Sequence, residues 1–151
     1  MFPPVSLILV AADAQWVREL VKASCIGPGQ RVIEVTKGQE VRATVEAEEP
    51  DVVVLDMQIG NMGGIACAID LRLEAGAGRL PDVSILLLLD RDADRFLAKR
   101  ADADAELLKP IDPGTMRKAV DALLASSDDE DDEGDEADDD DSDESLAVEE
   151  G

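Results

Sequence analysis

Residues 52–64 read VVVLDMQIGNMGG: four apolar residues run straight into Asp56, and Gly60, Gly63 and Gly64 follow closely. An unbroken apolar strand must be covered on both faces, the condition of a central parallel strand between layers of helices. The acid then stands at the strand's carboxyl end, the edge along which open α/β sheets form their ligand crevices. Two more charges occupy equivalent places. Asp13 follows the apolar run VSLILV at 5–10, and Lys109 follows Leu107 and Leu108 and precedes Pro110. Three charges at three strand ends point to one site, and two acids with a lysine suit a divalent metal and a phosphoryl group.

Outward from that strand, apolar runs alternate with segments of helical spacing, the pattern of βαβ units and a parallel sheet. Trp16, Val17, Leu20, Val21 and Ser24 form the stripe of a first helix, which Gly27-Pro28-Gly29 stops. RVIEV at 31–35 reads as a second strand. A second helix over 39–48 carries Val41, Thr44, Val45 and Glu48 in register and ends before Pro50, because the residue preceding proline disfavours helix. The third strand is 51–55, the third helix 65–74, the fourth strand 83–89, the fourth helix 92–101 and the fifth strand 105–108. Pro113 suits the first turn of a final helix reaching Ala125.

Charge divides the chain. Residues 128–151 hold sixteen of the 36 acids and none of the fourteen bases, so most of the net charge of −22 belongs to the tail. Domain boundaries are therefore drawn at 1–125 for a folded body and 126–151 for an acidic tail, which is expected to be disordered because it cannot offset ordering entropy or self-repulsion by burial. The body is rich in Val, Leu, Ile and Ala, enough for a core without staples. Cys25 and Cys67 lack metal-ligand spacing and read as small core residues. The chain has no His, which excludes a phosphohistidine of its own and any Ser-His or Cys-His pair. No basic, apolar leader opens it, and its longest apolar run, ILLLL at 85–89, is too short to span a bilayer. A cytoplasmic protein without membrane association is expected.

Five βα units, Asp13 after strand one, Asp56 after strand three, the loop MQIGNMGG and LLKP at 107–110 together resemble a response-regulator receiver domain over residues 5–125. The resemblance implies a flavodoxin-like, doubly wound five-stranded parallel sheet with helices on both faces. It further implies that Asp56 accepts a phosphoryl group from the phosphohistidine of a histidine kinase or phosphotransfer protein. Asp13, Asp56 and the backbone carbonyl of Gln58 would hold Mg²⁺, and Lys109 would pair with the acceptor carboxylate and then with a phosphoryl oxygen. Two plainer readings stand beside these: Asp56 as a polar strand end, and Asp13 as the N-cap of the first helix.

The sequence also departs from the family. Ala12 occupies the place of the first of two adjacent acids, Leu87, Leu88, Leu89 and Asp90 offer no hydroxyl after strand four, and Glu106 stands near the position of an aromatic switch. Phosphorylation and its usual readout are thus separable, and a phosphate-independent pseudo-receiver that serves as a docking module is the alternative. An enzyme reading lacks a P-loop, a GxGxxG turn and an acid-base His. No basic patch with interleaved aromatics supports direct DNA binding. Output by contact with a downstream protein is expected, and the resemblance implies that it runs through the face of helix four, strand five and helix five, where Arg95, Lys99 and Arg117 either contribute or stand as ordinary solvated charges. The tail could engage a basic partner, its serines at 126, 127, 142 and 145 could be modified, and Leu146-Ala147-Val148 could dock, although such runs commonly serve only as solvated tails.

Overall fold

The computed structural model describes residues 5–60 and 62–132, with side chains described as far as Ser126. Five strands form one parallel sheet: β1 (Ser6–Ala11), β2 (Gln30–Val35), β3 (Val52–Asp56), β4 (Ser84–Leu89) and β5 (Ala105–Leu108). Their spatial order, β2-β1-β3-β4-β5, is the flavodoxin-like doubly wound arrangement, with its switch point between β1 and β3. The helices are α1 (Gln15–Ser24), α2 (Gly38–Glu48), α3 (Gly64–Gly76), α4 (Arg95–Arg100) and α5 (Pro113–Asp132).

Strand alternation splits the core into two layers. Leu9, Val53, Leu55, Ile85, Leu87 and Leu89 pack with Val41 and Val45 of α2, Cys67, Ala68 and Leu71 of α3 and Ala98 of α4. Ile8, Val10, Val52, Val54, Leu86 and Leu88 pack instead with Val17 and Val21 of α1 and Met116, Val120 and Leu123 of α5. Every residue of β3 is buried, as its continuous apolar run requires. Cys25 and Cys67 are free and buried, one in each layer, and burial pushes both thiols up to about 11. They behave as core residues.

The helices differ from the sequence reading in three places. Trp16 leaves the apolar stripe and is 55% exposed, while Val17, Val21 and Ser24 carry the buried face. The segment expected as helix 92–101 opens with a 3-10 turn, Asp92–Asp94, because the Asp94 N–H bonds the Arg91 carbonyl at 3.0 Å and the buried Asp94 carboxylate is held by Arg91. Helix α5 continues past Ala125 to Asp132, so the body does not end in helix at 125. A nucleated helix gains one backbone bond for each residue added, which sustains it into the first acids. The disorder expected further along, and the features at 142–148, fall outside the described residues. Among the described residues no helix is long and apolar enough to cross a membrane.

Gly64 sits where the β3–α3 loop folds back, and a Cβ there would overlap the Asp56 backbone carbonyl. A Cβ on Gly76, at the other end of α3, meets open space. Gly64→Ala is therefore expected to destabilise by about 1–3 kcal/mol, and Gly76→Ala to stabilise by about 0.4–1 kcal/mol, both read from urea denaturation midpoints.

Candidate functional site

Asp56 is the last residue of β3, 1% exposed, and its backbone neighbour Met57 donates to the Leu88 carbonyl of β4 at 3.2 Å. The loop then turns under α3, with the Gly64 N–H on the Met57 carbonyl at 3.3 Å. Lys109 leaves β5 beside it, its N–H on the Leu89 carbonyl at 3.0 Å, and its peptide bond to Pro110 is cis. The Lys109 ammonium forms an ion pair with Asp56 Oδ1, a buried atom with no other hydrogen-bond partner among the described residues. The structure thus brings together the two charges that the sequence places at the ends of strands three and five.

Asp13 and Gln58 meet through the backbone: the Asp13 N–H donates to the Gln58 carbonyl at 2.9 Å. The Asp13 carboxylate lies against Gly60, where a Cβ would come within 3.1 Å of its Oδ1. Asp13 is not the N-cap of α1, a position held by Ala14 without a side-chain cap. Ala12, fully buried, contributes no acid. Its carbonyl and that of Asp13 each accept a bond from Arg18 Nη1 at 2.8 Å, which pins the β1–α1 turn. Among the described residues no three Asp, Glu, His or Cys side chains are grouped as a metal site.

One residue of the site stands out in the sequence only for the hydroxyl it lacks. Asp90, directly after β4, places Oδ1 at 2.7 Å from Lys109 Nζ and accepts from Gln58 Nε2 on Oδ2 at 3.3 Å. The rule that finds Asp13 and Asp56, an acid just beyond an apolar run, also finds Asp90. Trp16 completes the surroundings, with Lys109 Nζ 5.8 Å from its ring centroid. Glu106 lies outside this group. It receives Arg95 Nη1 at 2.6 Å, and Arg95 also reaches Asp92 at 2.6 Å, so this arginine is tied to its own surface rather than left as a free charge.

Electrostatics follow from one cation between two acids. Burial pushes the Asp56 carboxyl above the ordinary range against the opposing pull of Lys109. Asp90, largely wet, is held below its ordinary value by Lys109 and secondarily by Gln58. For Lys109, burial acts to lower the ammonium, but bonds to Asp56 and Asp90 outweigh it and hold it above its usual value. The buried acid is the less comfortable partner.

The sequence pattern of the response regulator receiver domain matches residues 8–121, and this chain belongs to that family. Receivers are signalling domains that take up a phosphoryl group and generally use Mg²⁺ to do so. The protein PilH of Pseudomonas aeruginosa is 29% identical over 118 residues, 78% of this chain and 97% of PilH. The alkaline phosphatase synthesis regulator PhoP of Bacillus subtilis is 28% identical over 121 residues, 80% of this chain and 49% of that relative, so the chain spans about half of that transcriptional regulator. Among solved structures, Vibrio cholerae CheY4 superposes with a TM-score of 0.70 at 22% identity, covering 80% of this chain and 99% of that one, a likeness of fold. A LuxR-family response regulator from Aurantimonas gives 0.69 at 27% identity, covering 81% and 86%.

Because the folded-state value of Asp56 is raised, its charge opposes folding at neutral pH, and that penalty disappears as pH falls through the raised value. Asp56→Asn is expected to raise the thermal midpoint by a few degrees at pH 7. The margin over the wild type should shrink as pH falls toward the ordinary carboxylate range, which parallel melts at several pH values would read.

Proposed function

We propose that Asp56 is the phosphoacceptor of a signalling receiver that takes its phosphoryl group from the phosphohistidine of a histidine kinase or phosphotransfer protein and acts by contact with a downstream protein. The observation that carries this reading is the buried Asp56 carboxylate, at the carboxyl edge of the central strand, paired with Lys109. A carboxylate oxygen of Asp56 attacks phosphorus, the bond from phosphorus to the donor nitrogen breaks, and its electron pair leaves with the imidazole. Lys109 orients the carboxylate before transfer and meets phosphoryl oxygen after it.

The donor set fits a hard cation. Asp13 and Asp56 offer carboxylates, and Gln58 offers a carbonyl whose second lone pair remains beside its bond to the Asp13 N–H. Bound there, Mg²⁺ would neutralise charge between two anionic reactants. The buried Asp56 Oδ1, met by no group but an ammonium among the described residues, supports an acceptor that lacks part of its charge compensation. A cytoplasmic setting accompanies such a donor, and the sixteen acids at 128–151 suit a basic partner surface.

A second reading has its own observation. Ala12, buried where the family has an acid, and Glu106, tied to Arg95 near the place of the aromatic switch, favour a docking module whose contacts ignore phosphate. Intact mass after incubation of the full chain with a small acyl phosphate and Mg²⁺ separates the two. A phosphoryl-sized gain that requires Mg²⁺ and vanishes in Asp56→Asn is expected; an unchanged mass, or a gain that persists in the variant, would overturn the acceptor reading and favour the docking module.

A further inference from the structure

Strand β4 ends at Leu89, and the first residue beyond it carries the carboxylate that competes for Lys109. Asp90 Oδ1 is 2.7 Å from Lys109 Nζ, Oδ2 takes the Gln58 amide at 3.3 Å, and the same ammonium is ion-paired with Asp56. With its side chain 36% exposed, Asp90 can turn into water without crossing the core. It is also joined to α4. The next residue, Arg91, accepts the Asp94 N–H on its carbonyl and holds the buried Asp94 carboxylate with its guanidinium, both at 3.0 Å, in the 3-10 turn that leads into α4.

We propose that Asp90 is the positioning residue that registers the phosphoryl group: it holds Lys109 while Asp56 is free and is expelled when a phosphoryl group on Asp56 takes that ammonium. This inference rests on Asp56 being the acceptor. A phosphoryl group brings on the order of two negative charges and three strong acceptor oxygens, so it outbids a single carboxylate for one cation and repels that carboxylate at close range. Where a hydroxyl would be drawn toward the phosphoryl group, a carboxylate is driven away from it. The missing hydroxyl after β4 is thus replaced by a device of opposite direction, and the Arg91–Asp94 connection passes the displacement to the start of α4. Resting occupancy of Lys109 by Asp90 also makes the site resist anions.

The test uses the full chain with Mg²⁺ and beryllium trifluoride as the phosphoryl mimic. Affinity is read from Trp16, the single tryptophan, and displacement from the backbone amide resonances of residues 90–100. Asp90→Asn should bind the mimic about fivefold more tightly and should lose most of the amide shifts that the wild type shows, while Asp90→Glu should retain wild-type behaviour. Asp92→Asn removes a neighbouring acid that pairs with Arg95 instead of Lys109, and should leave affinity unchanged. Equal affinity in wild type and Asp90→Asn, or an equal gain in Asp92→Asn, would overturn the proposal while leaving Asp56 as acceptor. Failure of the wild type and every variant to bind the mimic would remove the acceptor reading and this inference with it.

Discussion

A single ammonium, that of Lys109, sits between the carboxylate ending β3 and the carboxylate following β4, and the arrangement of the site depends on it. An ionised acid buried as deeply as Asp56 is costly unless paired. The partner cannot come from β3, whose residues are all buried and otherwise apolar. It comes from the sheet's edge, where parallel pairing sets Leu108 opposite Leu89 and so carries Lys109 back over the central strands. Even so, the pairing does not fully offset burial, and Asp56 stays above its ordinary range. A buried acid with its charge incompletely balanced is the state that the proposed acceptor role calls for.

The same ion pair connects chemistry to surface. Through Asp90 and Gln58, the Lys109 ammonium is linked to the turn where Asp13 and Gln58 share a backbone bond, and through Arg91 and Asp94 it reaches the turn that starts α4. At the start of α4, Arg95 ties Asp92 to Glu106 of β5. The region from β4 to β5 is thus laced by ion pairs where the family resemblance leads one to expect a hydroxyl and an aromatic ring. Exposed pairs of this kind are individually weak and respond to nearby charge, which is compatible with the role proposed for Asp56.

Much of this was legible in the residues. The continuous run before Asp56 forced a central strand, and the glycines after it allowed the loop to fold back until Gly64 lies against the Asp56 carbonyl. Acids and a lysine at strand ends gave the Asp56–Lys109 pair, because strand direction alone fixes which edge they occupy. Asp90 is less legible, because the family pattern puts a hydroxyl after strand four and assigns no role to an acid there. Spacing puts Trp16 on the apolar stripe, although its ring lies beside Lys109 and is largely exposed, an arrangement that periodicity does not encode. The end of α5 is not legible because composition reports the cost of burying acids and not the ease of extending a helix already formed.

The most direct measurement is nitrogen-15 NMR of the Lys109 ammonium in the full chain, compared with Asp56→Asn and Asp90→Asn. A shared cation predicts a slowly exchanging Lys109 ammonium resonance that shifts in both variants. An ammonium in fast exchange with water, unmoved by either substitution, would contradict the shared ion pair on which the site is built.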